Sequence, residues 1–371
     1  MNEKFSPQTG TPTRGELIPP VSYLDWFIPR IIEQRPYDLS RSGLRYDWDL
    51  GNIEEAWKDH RSIGKDERTI ISKRYDVDLE NVHLCHGATQ GLTLAIVAAS
   101  NGGKVAVEMP SYGPVSQTAR ILGLETVRLE RKKTIGYWPI ERVSWAKQIK
   151  ECEIVIISSH LNPTGWPISQ DDRNWLVNQC RENSTVLICD EVYADADPSW
   201  KPMFSEGEHC ITINSLAKIH GLGQLRYGWI IASKKIIPRI GRAFHNLVGM
   251  MSSPGVKYGE LAIQHSDKTI KLINLYRKNN IKELKSVLSR LGIEWEEPPC
   301  GLFGAIRIPG VNTFEMIETI GKEKGFLAVP CCMFDDDLEE WLRISWSVDE
   351  VQFKKSVSIF ESVLRTAMNI T

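Results

Sequence analysis

Short apolar runs alternate with longer segments of helical periodicity through the middle of the chain. Six of these runs are predicted to form β-strands, namely KVAVEM (104–109), TVRLE (126–130), IVIISS (154–159), TVLICD (185–190), CITIN (210–214) and YGWIIAS (227–233). Because the runs are apolar throughout and are separated by helical segments, they predict a mostly parallel sheet with helices on both faces. In such sheets ligands bind at the carboxyl ends of the strands, so the residues that follow the runs are the candidates for a site.

The pattern changes after about residue 255. A long helical stretch (255–292) is followed by three apolar runs, GLFGAIRI (301–308), GFLAVP (325–330) and WLRISWS (341–347). We interpret this part as a smaller α+β domain onto which the N-terminal residues pack back. The predicted organisation is therefore a large domain of residues 46–255 and a small domain made of residues 1–45 and 256–371, which includes an N-terminal arm.

Composition narrows the function classes. The formal net charge of −2 gives no support to a nucleic-acid partner, and no apolar stretch approaches the length of a membrane span. The eight cysteines contain no C-x-x-C pair and several lie in apolar runs, so we expect reduced thiols and a cytoplasmic location. For the acidic run from Asp335 to Glu340, a solvated loop and a weak metal site stay open as alternatives.

Two short segments with unusual residues follow predicted strands or begin predicted helices. HGATQG (86–91) puts Gly87, Ala88 and Thr89 at a helix N-terminus, where free N–H groups and the helix dipole favour an anion. MPSYGP (109–114) places Tyr112 just after a strand. Taken alone, the first is an ordinary helix start and the second a packed loop tyrosine.

Two further segments follow the next strands. In HLNPTGWP (160–167), Asn162 begins a turn directly after a wholly apolar strand. In CDEVYAD (189–195), Asp190 ends a buried strand, where a carboxylate needs a cationic or hydrogen-bonding partner, and Tyr193 follows three residues later. Asp195 and Asp197 raise the question of a metal cluster, but no histidine lies at ligand spacing along the chain, so we predict no metal site.

The stretch NSLAKIHGLGQLRYGW contains Ser215, Lys218 and, eight residues after the lysine, Arg226. On its own this lysine is typical of a surface residue at a strand end. GLGQLRYG is similar to a dinucleotide loop, but it follows a lysine turn and does not open the helix of a βαβ unit.

In this order, the segments resemble the fold-type I pyridoxal-phosphate enzymes, specifically the class I/II aminotransferases, from about Asp38 to about Ser347. The resemblance rests on the N-P-T-G turn, D-x-x-Y, S-x-x-K with an arginine eight residues later, and a late R-I-S. It implies an α/β fold: a large domain with a mostly parallel seven-stranded sheet sandwiched by helices, and a smaller α+β domain. It also implies a homodimer that moves an amino group between an L-amino acid and a 2-oxo acid.

The resemblance assigns a role around the ring of pyridoxal 5′-phosphate to five residues. Lys218 is the expected Schiff-base lysine and proton carrier, which requires a lowered pKa. Asp190 is the expected partner of the pyridine nitrogen, which makes the ring an electron sink. Tyr193 and Asn162 are expected at the phenolic oxygen, and Tyr112 is expected to stack on the ring.

The cofactor phosphate is expected at a second group of residues. The resemblance implies that the helix start at Gly87, the amides of Ala88 and Thr89, and the side chains of Ser215 and Arg226 hold it.

For the substrate, the resemblance implies that Arg343 binds the α-carboxylate as a bidentate pair, with Asn162 and Gly43 lining the same site. By their position, Arg41 and Arg45 are candidates for binding the side-chain carboxylate of a dicarboxylic amino acid. Many relatives place a tyrosine at the position of Asp59, where it reaches the phosphate of the other subunit. His60 is a candidate substitute here, with a surface histidine as the alternative.

The reaction class stays open at this point. The same lysine and aspartate serve a lyase, a decarboxylase or a cyclase, and LDW…YDLSRSG also resembles enzymes of this fold that cyclise an arginine derivative. A non-catalytic pyridoxal-phosphate-binding regulatory module is disfavoured by the slightly acidic charge, the presence of Arg343 and the lack of an N-terminal DNA-binding region.

Overall fold

The computed structural model describes residues 18–51 and 66–370. In chain order, its strands are β1 (Tyr37–Asp38), β2 (Val82–Cys85), β3 (Lys104–Met109), β4 (Thr126–Glu130), β5 (Cys152–Ser158), β6 (Val186–Asp190), β7 (Cys210–Ser215), β8 (Gly228–Ile231), β9 (Phe303–Arg307), β10 (Phe326–Leu327), β11 (Val329–Pro330) and β12 (Trp341–Ser345). Its helices are α1 (Ser22–Glu33), α2 (Thr69–Tyr75), α3 (Ala88–Ala99), α4 (Gly113–Ile121), α5 (Arg142–Ile149), α6 (Gln170–Glu182), α7 (Ile237–Leu247), α8 (Ser253–Gln264), α9 (Ser266–Arg290), α10 (Thr313–Met316, continued by one π-helical turn) and α11 (Glu350–Ala367).

The large sheet has seven strands in the order β2-β8-β7-β6-β5-β3-β4. Strand β8 runs antiparallel to both of its neighbours, and the other pairings are parallel. The predicted mostly parallel seven-stranded sheet is therefore confirmed. The apolar runs predicted six of its strands, and the seventh, β2, is a four-residue strand that contains His83.

Helices cover both faces of this sheet, and the alternation of side chains along β5 explains why both faces are apolar. Ile154 and Ile156 face a core shared with α3 and α7, whereas Val155 and Ile157 face a second core shared with α5 and α6. All four side chains are fully buried, and each contributes about 1.5–3 kcal/mol to folding. A strand that is buried on both sides has a continuous run of apolar residues, and this is the pattern that predicted β5.

The ends of the chain meet in a separate core. Strand β1 pairs in parallel with β10, and β11, β12 and β9 form a three-stranded antiparallel sheet. Trp26 of α1 and Phe360 of α11 are buried in one core with Phe326 and Leu342 of these strands. This shared core supports the division at about residues 45 and 255, which stays a prediction.

Two smaller expectations concern the surface. Asp335, in the acidic run, accepts a hydrogen bond from Arg128 Nη2 at 2.7 Å, so this part of the run is paired with a basic neighbour.

None of the helices in the described ranges combines the length and the apolar character that crossing a bilayer requires.

Candidate active site

A cavity of about 570 Å³ opens at the carboxyl ends of the parallel strands. Most of the residues predicted for the site line it, namely Gly43, Ala88, Thr89, Tyr112, Asn162, Asp190, Tyr193, Ser215, Lys218 and Arg226. Gly87 and Arg343 lie directly behind this lining, in contact with Arg226 and Asn162 respectively. The fold thus brings five sequence segments to one edge of the sheet.

Lys218 lies three residues beyond the end of β7, half-buried at the cavity. Its Nζ donates a hydrogen bond to Ser42 Oγ at 3.0 Å and lies 5.9 Å from the centroid of the Tyr112 ring. Burial lowers the pKa of Lys218, and the positive charges of Arg343 and Arg226 lower it further, against the opposing charge of Asp190. A lowered pKa is what an amine needs in order to act as nucleophile and base near neutral pH.

Asp190 is the last residue of β6, and its carboxylate faces the same cavity. Its Oδ1 accepts a hydrogen bond from the backbone N–H of Val192 at 3.1 Å. Burial raises the pKa of Asp190 to about 6, although Val192 and Lys218 act in the opposite direction. A raised pKa is expected for a carboxylate in a cavity when the cation that pairs with it belongs to a ligand.

Tyr193 and Ser42 lie beside this pair. Burial raises the pKa of Tyr193 to about 12, while a hydrogen bond with Ser42 favours the ionised form. The Tyr193 ring packs edge-to-face on Phe303, with centroids 5.0 Å apart. Ser42 therefore connects the hydroxyl of Tyr193 with Nζ of Lys218.

Gly43 packs against the loop that carries the lysine. A Cβ atom at this position would lie 3.3 Å from the carbonyl oxygen of Ala217. The next residue, Leu44, donates its N–H to the carbonyl of Lys218 at 2.9 Å. The N-terminal segment thus holds the lysine loop through its backbone, and a small residue permits the close approach.

Asn162 begins the turn that follows β5. The turn requires glycine at position 165, where φ is +77° and a Cβ atom would lie only 2.1 Å from the carbonyl oxygen of Phe303. Asn162 Oδ1 accepts a hydrogen bond from Arg343 Nη1 at 2.9 Å. The amide therefore links the cavity to the arginine of β12.

An anion site lies at the start of α3. Gly87 caps this helix with φ +81°, and Ala88 and Thr89 follow in its first turn, where backbone N–H groups lack partners within the helix. Arg226, with φ +51°, brings its guanidinium so close that a Cβ atom at residue 87 would lie 2.4 Å from its Nη2. Ser215, the last residue of β7, lines the cavity at this point.

Arg343 is fully buried in β12, and three aromatic rings surround its guanidinium. The ring centroids of Tyr23, Phe303 and Phe334 lie 5.2, 5.1 and 5.0 Å from its Cζ atom. Nη2 donates to Tyr23 Oη at 3.1 Å and to the carbonyl of Ser40 at 2.9 Å. Nε is buried and has no hydrogen-bond partner among the described residues, so the guanidinium retains an unused donor.

Sequence reasoning missed two residues of this site. Tyr23 of α1 lines the cavity and contacts Arg343, and Ser42 bonds Lys218. Both come from the N-terminal segment, where no strand end marked them, although Ser42 lies in the YDLSRSG stretch next to Gly43. Asp59 and His60, the candidates for contact with a partner subunit, lie outside the described residues.

Comparison with known proteins gives a family. The model of the family described as "Aminotransferase class I and II" matches residues 67–360, which is most of the chain. An aspartate aminotransferase of Sulfolobus acidocaldarius is 22% identical over 325 residues, covering 81% of this chain and 79% of the relative. Histidinol-phosphate aminotransferase 1 of Legionella pneumophila is 27% identical over 228 residues, covering 57% of this chain and 60% of the relative.

Solved structures share the fold. An aminotransferase from Mycobacterium tuberculosis superposes with a TM-score of 0.83 at 18% identity, covering 96% of this chain and all of its own. The N-succinyldiaminopimelate aminotransferase of the same organism gives a TM-score of 0.81 at 18% identity, covering 95% of this chain and 100% of its own. These matches confirm the predicted fold class and do not favour a lyase, decarboxylase or cyclase. The chain belongs to the class I and II aminotransferase family and is a pyridoxal-phosphate-dependent aminotransferase.

Proposed function

We propose that Lys218 is the residue to which pyridoxal phosphate is covalently attached, and that it carries the proton lost from Cα of the substrate. The observation that carries the proposal is the position of Nζ, which lies at the cavity beside Asp190 with a lowered pKa. The cavity also fits the cofactor's other groups. It offers an anion site, which a side chain at residue 87 would fill, and a carboxylate whose raised pKa suits a cationic partner.

Asp190 is proposed to pair with the pyridine nitrogen of the cofactor, Asn162 and Tyr193 to donate to its phenolic oxygen, and Tyr112 to cover the ring face. The raised pKa of Asp190 supports its part, because pairing with a cation would return the carboxylate to its ionised form. When bound, the cofactor supplies an electron sink for the electron pair that remains on Cα after the proton leaves.

The cofactor phosphate is proposed to bind at the start of α3. The unpaired N–H groups of Ala88 and Thr89, the hydroxyl of Ser215 and the guanidinium of Arg226 converge there. Arg226 already donates to the carbonyl of His86 at 3.0 Å, which holds its planar group against Gly87. A planar cation next to a helix N-terminus is well suited to a phosphate.

Arg343 is proposed to bind the α-carboxylate of the substrate, with Asn162 and Gly43 lining the same place. Asn162 and Tyr23 orient the guanidinium, and its unpaired Nε gives it a free donor. Fixing the carboxylate in this way orients the Cα–H bond toward Lys218, which favours loss of the proton over loss of carbon dioxide.

Chemical trapping tests the lysine directly. The holoprotein is reduced with borohydride, digested, and the peptide that carries the cofactor is identified by mass spectrometry. We expect the label on Lys218 in the wild-type protein and no labelled peptide in Lys218→Arg. A label on a different lysine in the wild type would contradict the assignment.

We further propose that the preferred amino donors carry a second anionic group at the far end. Arg41 and Arg45 line the cavity and share a single carboxylate oxygen, Asp38 Oδ2, at 3.1 and 2.5 Å. Two guanidinium groups against one carboxylate leave a net positive charge at the mouth of the cavity. The relative named for aspartate supports this class, since aspartate carries a second carboxylate.

A donor screen with 2-oxoglutarate as acceptor tests this substrate class. We expect aspartate or glutamate to react faster than alanine and leucine. Arg41→Gln should lower kcat/KM for the anionic donor by about 10–100-fold and leave the neutral donors unchanged, because a hydrogen bond to a charged group contributes about 1.5–3 kcal/mol. Arg307→Gln, in an exposed ion pair with Glu340, is the control. A preference for neutral donors would overturn the proposal.

A homodimer and a cytoplasmic location complete the proposed function. Exposed Leu247 and Met250 lie near the proposed phosphate site, where the carbonyl of Met250 contacts His86 Nε2 at 3.2 Å, and a partner subunit would cover them. All eight cysteines are unpaired, which suits a reducing compartment. Light scattering of the holoprotein should give twice the chain mass, and a monomer would contradict the dimer. Cell fractionation tests the location.

A further inference from the structure

A second polar cluster lies outside the cavity lining and is formed by His160, Asp197 and Cys300. The nitrogen, oxygen and sulfur atoms that these side chains offer all lie within 4.8 Å of one another. His160 Nε2 is 3.3 Å from Cys300 Sγ and 3.8 Å from Asp197 Oδ2. His160 and Cys300 are buried, and Asp197 is partly buried.

We propose that this cluster is a Zn²⁺ site, with His160 Nε2, Cys300 Sγ and Asp197 Oδ2 as ligands and water in the fourth position. In a tetrahedral zinc site the metal–nitrogen and metal–oxygen bonds are about 2.0–2.2 Å and the metal–sulfur bond is about 2.3 Å. These lengths put the nitrogen about 3.5 Å from the sulfur and about 3.4 Å from the oxygen. The observed separations of 3.3 and 3.8 Å are close to these values, and the third pair, Cys300 Sγ and the Asp197 carboxylate, lies within 4.8 Å.

The neighbours of the cluster hold the ligands in place. His160 Nδ1 is hydrogen-bonded to Ser159 Oγ at 3.0 Å, which leaves Nε2 facing the other two ligands. Asp197 Oδ1 accepts two hydrogen bonds from Ser199, from its N–H at 2.9 Å and its hydroxyl at 2.6 Å, so Oδ2 is free to face His160. Partners of this kind orient metal ligands and strengthen binding.

The charge balance also suits a divalent cation. Zn²⁺ binds neutral imidazole and ionised thiolate, so the thiol proton of Cys300 would pass to solvent when the Zn–S bond forms. One thiolate and one carboxylate then neutralise the ion, which limits the cost of burying it.

A hydrogen bond from the Cys300 thiol to His160 explains part of this geometry without a metal. This hydrogen bond does not explain the position of Asp197, because Asp197 Oδ2 faces the same nitrogen, His160 Nε2. The route for an ion is open on this side, since the next two residues, Pro198 and Ser199, are exposed.

The site would tie two sheets together. His160 and Asp197 follow β5 and β6 of the seven-stranded sheet, whereas Cys300 precedes β9 of the three-stranded sheet. We therefore expect Zn²⁺ to stabilise the protein. Asp195 and Asp197 were judged at the sequence level by spacing along the chain, which cannot reveal a histidine contributed by a different strand.

Metal binding to the holoenzyme tests the proposal. Protein is freed of metal with a chelator, titrated with Zn²⁺, and its bound metal is counted by mass spectrometry. We expect one Zn²⁺ per chain and an affinity that is lowered by about 100-fold in Cys300→Ser and in His160→Gln, and by about 10-fold in Asp197→Asn. Cys210→Ser is the matched control, because Cys210 Sγ lies 3.6 Å from His209 Nε2 but the pair has no third ligand among the described residues.

Two measurements keep the test decisive if a variant fails to fold. X-ray absorption of the wild-type zinc complex should show one sulfur and otherwise nitrogen or oxygen ligands, and a ligand shell without sulfur would overturn the proposal. Zn²⁺ should raise the melting temperature of the wild type but not of Asp197→Asn. Equal zinc retention by the wild type and the three ligand variants would also overturn it.

Discussion

Two clusters of charged groups, one paired within the protein and one at the cavity, are built in opposite ways. The paired cluster consists of Glu108, Arg131, Tyr137, Arg142 and Asp172. The site cluster consists of Asp190, Lys218, Arg226 and Arg343. Glu108 lies in β3 and Asp190 ends β6 of the same sheet, so position alone does not separate structure from function.

In the paired cluster the charges satisfy one another. Arg131 donates to Glu108 Oε1 through Nε at 2.8 Å and Nη2 at 2.6 Å, and Asp172 accepts from Arg142 and from the Tyr137 hydroxyl. Although burial by itself lowers the pKa of Arg131, Glu108 and Tyr137 together outweigh burial, and the net pKa is raised. The net pKa of Asp172 is lowered, despite burial, by its hydrogen-bond donors. Both groups are therefore held in their charged forms.

The site cluster shows the reverse. Burial shifts the pKa of Asp190 upward and that of Lys218 downward, so both groups are pushed toward their neutral forms. Arg343 keeps an unpaired buried Nε. A ligand can pair with charged groups that the protein leaves incompletely paired in a cavity. The paired cluster has no such groups, and its role is to stabilise the fold.

The largest expected effect is the loss of activity in Lys218→Ala. Removing the proposed nucleophile and base should lower kcat by about 10⁴-fold or more, because proton transfer by a positioned side chain is by itself worth about 10²–10⁴-fold. The folded state should not suffer, since the variant removes an amine whose charged form burial disfavours. Steady-state kinetics and the melting temperature measure the two effects. A variant that keeps a tenth or more of the wild-type activity would place Lys218 outside the chemistry.

Arg131→Met should do the opposite. It leaves Glu108 buried without its partner, and breaking a buried ion pair costs about 3–5 kcal/mol of unfolding free energy. Turnover per folded molecule should change little, because no residue of the paired cluster lines the cavity and Glu108 touches the lining only through the backbone N–H of Ser158. The urea midpoint and active-site titration check this pair of results.

A double variant supplies the control for this prediction. Glu108→Gln combined with Arg131→Met removes both charges and keeps an acceptor for the N–H of Ser158, so it should recover much of the lost stability. Equal losses in the single and double variants would mean that packing around Arg131, and not its charge, stabilises this part of the sheet.

The sequence predicted the sheet and most of the site because both depend on local order along the chain. Strands such as β5 are buried on both faces and therefore appear as apolar runs, and the chemistry-bearing residues follow them directly. Asp190 and Lys218 could be identified because each belongs to a short motif, D-x-x-Y or S-x-x-K, that directly follows such a run.

The parts that were missed depend on contacts between distant segments. Tyr23 and Ser42 reach Arg343 and Lys218 only because β1 joins the sheet edge near the C-terminal strands. The approach of His160 to Cys300, 140 residues later, has the same origin. A periodicity or a motif carries no information about such pairs, which are set by how the elements pack.

Asp190→Asn should have opposite effects on the stability of the cofactor-free protein and on the activity of the holoenzyme. In the cofactor-free protein the pKa of Asp190 is raised to about 6, above its value of about 3.9 in an unfolded chain. The folded state therefore binds the proton more tightly, and stability falls as pH rises from about 4 to above 6. The substituted amide has no charge to bury, so the cofactor-free variant should be more stable than the wild type by about 3 kcal/mol at about pH 8.

This gain should vanish at about pH 4, where the wild-type carboxyl is largely protonated in the folded state and the cost of burying its charge is gone. Thermal unfolding across this pH range measures it, and the activity of the holoenzyme should drop at the same time, because the amide cannot pair with a cation. A cofactor-free variant that is less stable than the wild type at the higher pH would show that the Asp190 carboxylate is already paired within the protein.

The smallest expected effect concerns Tyr23, the residue by which the N-terminal segment reaches the site cluster. Tyr23→Phe removes a hydroxyl that accepts from Arg343 Nη2 at 3.1 Å but keeps the ring, which stacks on Phe27 and Phe334 with centroids 5.1 and 5.2 Å apart. The guanidinium would be less firmly oriented, at a cost of about 1 kcal/mol. KM for both the amino acid and the oxo acid should therefore rise about fivefold with little change in kcat, as expected for a loss of uniform binding. Tyr276→Phe, in α9, is the control and should leave both constants unchanged. A fall in KM would reverse the interpretation of Tyr23, because the hydroxyl would then compete with the substrate carboxylate for Arg343.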